Sequence, residues 1–244
     1  LSVLYLCGDS RPWSILLYMK RSSLIITVFT VLLVAIACGA AWYLVDSSKR
    51  LADATATDTN IPMTPGDAIY VSGDYGFVLQ YPESATVSET FEAGYHLPAV
   101  WRAAADANTV GTPIVSFTTY TTKSENSYPR YFDALIRIGA SKDAREVVQC
   151  LTATADRAEV ELTDVVIGGT TWKAFSFENA AMQQYVQGIS YRTVHEGTCF
   201  AMEKLAVGSR YHEEVSERDI PQVVLDQEYA ALDRIVKTFT FVPQ

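Results

Sequence analysis

Cys150 and Cys199 are the two cysteines of the C-terminal part of the chain, and their side chains are the ones best suited to covalent chemistry. Outside the cytoplasm, a pair of cysteines forms a disulfide more often than a metal or redox site. With a sequence separation of 49, a bond between them would stabilise the fold by about 4 kcal/mol through loop closure. The sequence therefore predicts a disulfide, and the alternative is two buried free thiols that pack as small apolar groups.

Cys199 also has a competing interpretation as a catalytic nucleophile. Thr198-Cys199 on a predicted strand, followed by Arg210, is similar to the sortase transpeptidases. That resemblance implies a thiolate that attacks a peptide carbonyl, a histidine that moves protons and an arginine at the oxyanion. The candidate histidines are His96, His195 and His212. None of them lies where the sortase pattern requires, so we expect no catalytic site and no enzyme. A cysteine-dependent envelope hydrolase or transpeptidase centred on Cys199 stays as the alternative.

The sequence indicates no metal site, no cofactor and no nucleic-acid partner. His195-Glu196 is not followed by the second histidine of an HExxH zinc motif. An acidic run lacks the ligand order of a calcium-binding EF-hand: Glu213, Glu214, Glu217 and Asp219. Gly168-Gly169 joins two predicted strands and does not open a helix, as a phosphate-binding loop does. The net charge of -9 argues against binding to a phosphate backbone, which needs a basic face.

An apolar segment at residues 24–45 predicts how the chain is positioned in the cell. It reads LIITVFTVLLVAIACGAAWYLV and contains no charged residue. As a helix it would be about 33 Å long, which is enough to cross a hydrocarbon core of about 30 Å. Lys20 and Arg21 precede it and favour a cytoplasmic N-terminus. We therefore expect a single-pass anchor in the lipid bilayer, with residues 1–23 as a cytoplasmic leader and the C-terminal domain outside the cytoplasm.

Two alternatives concern this N-terminal region. Residues 35–39 are similar to the lipobox of bacterial lipoproteins, which implies cleavage of the chain and lipidation of Cys38. The residues after Cys38 stay apolar up to Val45, whereas a lipoprotein turns polar at once, so an uncleaved anchor is favoured. Residues 1–18 show no clean helical or strand period and lack a methionine at the start, which is consistent with a start-site artefact.

The rest of the chain divides into a tether and one domain. Residues 46–66 contain no aromatic side chain and are rich in Thr, Ala, Asp, Ser and Pro, so they cannot bury enough surface to order themselves. Residues 67–244 are long enough for one domain with a sizeable core. The acidic excess of the chain lies in this domain.

Strand-type alternation of apolar side chains dominates the domain. The predicted strands are 75–82, 85–91, 114–120, 132–138, 160–167, 170–177, 186–195, 199–207 and 238–242. We expect 85–91 to lie opposite 75–82 across a turn, and Gly139 to end its strand. Gly168-Gly169 supplies the positive φ of a tight hairpin, and a second hairpin is expected around Glu196-Gly197-Thr198.

Two helices are predicted among these strands. The first covers 141–150, with Ser141 as its N-cap. The second covers 221–237 and carries apolar side chains on one face, with Arg234 and Lys237 at its C-terminal end. Antiparallel strands covered by a few helices predict an α+β domain.

A family resemblance rests on three of these features. They are Tyr75-Gly76-Phe77 through Tyr81-Pro82, the strand, short helix and Gly-Gly hairpin of the middle, and the terminal helix that ends in 235–241. Together they resemble PsbP/Mog1-like domains of the membrane-anchored bacterial type. The resemblance implies an antiparallel sheet between helices, an α/β/α sandwich, and an accessory role without a shared catalytic motif.

We therefore expect a membrane-tethered, extracytoplasmic binding or assembly module whose partner is an envelope protein that the sequence does not identify. A small-ligand sensor is a third hypothesis, and it requires an apolar cleft between the sheet and the helices.

Overall fold

A computed structural model describes residues 64–94, 97–105, 108–122, 131–154, 159–182, 184–209 and 220–243. All of them belong to one compact unit, 61–244. The predicted leader, the predicted membrane span and residues 46–63 of the predicted tether lie outside the described residues. In the part of the chain that is described, no helix has both the length and the apolar character needed to cross a bilayer.

The described residues form two antiparallel sheets and two helices. The smaller sheet has the order β1-β2-β11, with β1 (Asp67–Ser72), β2 (Phe77–Pro82) and β11 (Thr240–Phe241). The larger sheet contains β3 (Thr86–Ser88), β4 (Thr112–Thr121), β5 (Phe132–Ser141), β6 (Val160–Glu161), β7 (Val165–Ile167), β8 (Thr170–Ala181), β9 (Gln184–His195) and β10 (Thr198–Ser209). Its strands follow the order β3-β4-β5-β10-β9-β8-β6, and β7 also pairs with β8. The helices are α1 (Ala144–Gln149) and α2 (Gln222–Thr238).

The larger sheet is covered on both faces, which confirms its α+β character. One face, here the α2 face, packs against α2 and the smaller sheet. Its core contains Phe117, Ile136 and Met202 of the larger sheet, Leu232 and Ile235 of α2, and Phe77 and Leu79 of the smaller sheet. The opposite face, here the α1 face, is covered by residues 97–105 and the end of α1. Its core contains Cys199, Ala201 and Leu205 of β10, Leu97, Trp101 and Ala103 of the covering segment, and Cys150 after α1. The smaller sheet was not predicted, and it shares the α2 face with α2.

Both predicted hairpins are present, and glycine determines their turns. Gly168 and Gly169 have φ values of +56° and +76° between β7 and β8. Glu196 and Gly197 have φ values of +48° and +72° between β9 and β10. Positive φ at both central residues is the conformation that matches the twist of the flanking strands.

The pairing predicted for residues 85–91 is wrong. The strand there is β3, and it pairs with β4 of the larger sheet instead of with β2. The physical reason is that both edges of β2 are already paired, one with β1 and the other with β11. The turn after β2 therefore carries the chain from one sheet to the other.

The predictions for Ser141 and Gly139 are also wrong. Ser141 is the last residue of β5, and Asp143 is the N-cap of α1, where its side chain accepts from the backbone N–H groups of Arg145 and Glu146. Gly139 lies inside β5 and does not end it. A side chain there would place its Cβ 2.1 Å from the carbonyl oxygen of Trp101, so Gly139 allows residues 97–105 to approach the sheet.

Gly139→Ala is expected to lower the free energy of unfolding by about 1–3 kcal/mol, because the new methyl group would push the Trp101 backbone off the sheet. Urea denaturation followed by tryptophan fluorescence measures the loss. Gly94→Ala is the matched control, since its Cβ would meet only Leu97 at an ordinary 3.7 Å. Equal stabilities of the two variants would contradict the close approach.

Candidate functional site

The predicted disulfide is present and joins α1 to the larger sheet. Cys150 follows the last residue of α1, and Cys199 is the second residue of β10. Their sulfur atoms are bonded, and their Cα atoms are 5.7 Å apart. The two residues are 2% and 0% exposed, respectively. The bond therefore fastens a short helix to the α1 face from inside the core.

The arrangement around Cys199 does not assemble the constellation of a cysteine nucleophile. Its sulfur is bonded to Cys150 and buried, so no thiolate faces solvent. His195 is on the α2 face, where its ring stacks on Phe241 with 3.8 Å between centroids, whereas Cys199 is on the α1 face. His96, His212 and Arg210 lie outside the described residues.

A buried ion pair holds the chain that crosses the α1 face. Arg137 of β5 and Glu203 of β10 are neighbours in the sheet, with 3.3 Å between the guanidinium and the carboxylate. The carboxylate also accepts from the backbone N–H of Ala103, at 2.7 and 2.9 Å. Arg137 donates to the carbonyl oxygens of Pro98 and Val100 at 3.1 and 3.2 Å. The pair therefore binds three backbone groups of the covering segment.

Burial makes each charge of this pair depend on its partner. Arg137 and Glu203 are 2% and 0% exposed. Burial lowers the pKa of Arg137, and the neighbouring Glu203 carboxylate opposes that shift. A buried charge is tolerated only when it is paired and hydrogen-bonded, so each of the two groups depends on the other.

A second buried ion pair lies beside the first on the same face. Arg192 of β9 contacts the carboxylate of Glu159, and it also donates to the Ser190 hydroxyl and the Thr152 carbonyl at 3.1 Å each. Its guanidinium lies 4.4 Å from the centre of the Phe175 ring. Burial, followed by the repulsion of the nearby Arg102, lowers its pKa to about 9, and the Glu203 carboxylate opposes the shift. The side chain therefore remains charged at neutral pH.

Sequence reasoning missed both ion pairs. The signal that could have found them is a charged residue inside a strand rich in apolar side chains: Arg137 in FDALIRIGAS, Glu203 in TCFAMEKLAVGS and Arg192 in QYVQGISYRTVH. Such a charge must find a partner within the fold, because its neighbours along the strand are buried.

A cavity of about 250 Å³ adjoins the first ion pair. Its floor is the α1 face of β3, β4 and β5, and Phe91 and Leu97 lie among its apolar walls. Seven hydroxyl side chains line it: Thr86, Ser88, Thr90, Ser116, Thr118, Thr121 and Tyr131. Asp133, Glu92 and Arg137 are its charged lining residues. The small-ligand hypothesis required an apolar cleft between the sheet and the helices, whereas most residues that line this cavity are polar and, in the described part of the chain, no helix residue lines it.

A second cavity, of about 280 Å³, lies at the turn between β9 and β10. Its charged and polar lining includes His195, Glu196, Lys142 and Asp74. Within the described residues no group of three or more His, Cys, Asp or Glu side chains is placed to hold a metal ion. The acidic run at residues 213–219 lies outside the described residues.

Comparisons with known proteins find similarity only at the level of solved structures. No family model and no curated protein match this chain. One similar structure is a cyanobacterial PsbP protein. It comes from Synechocystis, is 9% identical, and aligns over 74% of this chain and 95% of its own, with a TM-score of 0.36. A PsbP protein is thus among the structures that this chain resembles, as the sequence predicted.

Two further structures show the same degree of likeness. One is LpqN of Mycobacterium tuberculosis, which is described as involved in cell envelope biogenesis. It is 11% identical and aligns over 72% of this chain and 91% of its own, with a TM-score of 0.36. The other is a Bacteroides thetaiotaomicron protein, 12% identical over 73% of this chain and 50% of its own, with a TM-score of 0.32.

Proposed function

We propose that this chain is a membrane-tethered, extracytoplasmic accessory module that binds another component of the cell envelope and carries out no catalysis. Residues 24–45 would anchor it in the lipid bilayer, and residues 46–66 would hold the PsbP-like domain away from the membrane. Its protein partner is to be found among envelope proteins.

The observation that carries the proposal is the buried disulfide between Cys150 and Cys199. Disulfides persist in oxidising compartments and are rare in the cytoplasm, so the bond supports a position outside the cytoplasm. The same bond occupies the cysteine that the transpeptidase hypothesis needs, and His195 lies on the opposite face of the sheet. Binding is therefore better supported than cysteine chemistry.

The position in the membrane is tested on the full chain in its native host. Protease added to intact spheroplasts is expected to remove the domain, while a cytoplasmic reference protein survives until the cells are permeabilised. Protection of the domain in intact spheroplasts would contradict the proposal. The mass of the intact membrane-extracted protein distinguishes a transmembrane anchor from a lipid anchor. A diacylglyceryl adduct on Cys38 would identify a lipoprotein and overturn the transmembrane anchor.

The binding role is tested by crosslinking in living cells followed by purification of the full chain from membranes. We expect one envelope protein to be recovered reproducibly, and to be lost when residues 24–45 are replaced by a cleavable signal peptide that releases the domain. A crosslinked fraction without a reproducible partner would count against an assembly role.

A further inference from the structure

We infer that the cavity above β3, β4 and β5 is a binding site for a neutral, polyhydroxylated ligand, of the class of a single sugar ring. This deepens the proposed function and rests on the extracytoplasmic position of the domain, where envelope glycans are within reach. The inference depends on three properties of the cavity: its hydroxyl groups, its balance of charge and its apolar wall.

The hydroxyl groups form an ordered row on the floor of the cavity. Thr86 lies directly opposite Thr118, and Ser88 lies opposite Ser116, so all four side chains are on the same face of the sheet. The side chains of Thr86 and Thr118 make no hydrogen bond to any other described residue. Each hydroxyl both donates and accepts, which matches the hydroxyl groups of a sugar.

Two of the three charged lining residues, Arg137 and Asp133, are buried and already have partners within the protein, whereas Glu92 is exposed to solvent, and this argues against an ionic ligand inside the cavity. Arg137 is paired with Glu203 and bonded to two carbonyl oxygens, and its guanidinium lies 4.2 Å from the centre of the Phe91 ring. Asp133 accepts a hydrogen bond from the Thr121 hydroxyl at 2.6 Å. A ligand with a net charge would compete with these pairs, whereas a neutral one would not.

The remaining lining is apolar and suits the C–H surface of a ring. Phe91 and Leu97 lie on the covering segment, and Leu135 and Val207 lie on the sheet. A few polar groups that fix orientation against a mainly apolar wall are typical of small-molecule sites. The volume of about 250 Å³ is just below the range of about 300–1,000 Å³ that is typical of such sites, which restricts the ligand to a small molecule.

The test is saturation-transfer NMR on the full chain, purified in a detergent that has no sugar headgroup. The probes are the methyl glycosides of glucose, mannose and galactose, titrated to millimolar concentration. We expect saturable transfer to at least one glycoside. Thr118→Val removes a floor hydroxyl at nearly constant shape and is expected to raise the Kd about 3- to 10-fold. Thr171→Val, on the exposed part of β8, is the matched control and should leave the Kd unchanged.

Three outcomes would contradict the inference. No saturable transfer with any glycoside, or equal Kd values for wild type and Thr118→Val, would overturn the inference. Saturable binding of tetramethylammonium, or of inorganic phosphate followed by the line width of its phosphorus resonance, in place of the glycosides would overturn the neutral class. Ser116→Ala is a second floor variant, with the same expected direction, if Thr118→Val does not fold. Because binding is measured on purified protein, its failure leaves the topology and crosslinking results intact, so failure of the inference can be distinguished from failure of the proposed function.

Discussion

Glu203→Gln is expected to lower the free energy of unfolding by about 3–5 kcal/mol, although the substitution keeps the size and shape of the side chain. The loss arises because Arg137 would keep its charge in a site that is 2% exposed, with no carboxylate to balance it. The amide would also accept more weakly from the backbone N–H of Ala103, since hydrogen bonds to charged acceptors are the stronger ones. Chemical denaturation of the full chain, followed by tryptophan fluorescence, measures the loss.

Two further variants identify the cause. Glu83→Gln makes the same chemical change at an exposed position without an ion pair among the described residues, and it should alter stability by less than about 0.5 kcal/mol. Arg137→Met combined with Glu203→Leu removes both charges and should recover part of the stability, because no unbalanced charge remains, although three backbone groups lose their partners. If Glu203→Gln were as stable as wild type, Arg137 would not depend on Glu203.

The ion pair also connects stability to the candidate site. Arg137 lines the cavity, and through the carbonyl oxygens of Pro98 and Val100 it holds the chain just after the cavity wall residue Leu97. The register between β5 and β10 places the pair under that chain. A variant that breaks the pair therefore loosens one wall of the cavity, which makes Arg137 and Glu203 positioning residues of the site and not ligands of it.

The sequence predicted the strands and hairpins where the signal is local. Alternation in β5 and β10, the Gly168-Gly169 turn and the apolar face of α2 each depend on residues that are close in the chain, so their positions were largely correct. The smaller sheet was missed because β11 meets β2 only through pairing between the two ends of the domain. Local periodicity contains no information about which distant strand pairs with which.

The same limit applies to the candidate site. The disulfide could be predicted, because the domain contains only two cysteines in its sequence and an extracytoplasmic compartment favours a bond between them. The pairing of Arg137 with Glu203 requires the register of two strands and the path of the covering segment, neither of which a pattern of residue types defines. The cavity could not be predicted either, because only the fold shows that residues 90–94 and Leu97 border the floor formed by β3, β4 and β5.

Breaking the disulfide is expected to cost about 4 kcal/mol of unfolding free energy, the loop-closure value for a sequence separation of 49. The variant that carries both Cys150→Ala and Cys199→Ala should show this loss in chemical denaturation. Wild type denatured with a thiol reductant should show a similar loss, because the reductant opens the bond and leaves both side chains in place. Agreement between the two values would assign the loss to the cross-link itself.

The other two cysteines of the chain provide the matched control. Replacing Cys7 and Cys38 with alanine should leave the stability of the domain unchanged in the absence of reductant, and the reductant should then lower it as in wild type. Identical denaturation curves for wild type with and without reductant would contradict the bond, and with it the main support for an extracytoplasmic domain. Because the bond fastens α1 to β10 beside Trp101, its loss should also increase the exposure of that side chain, which fluorescence quenching detects.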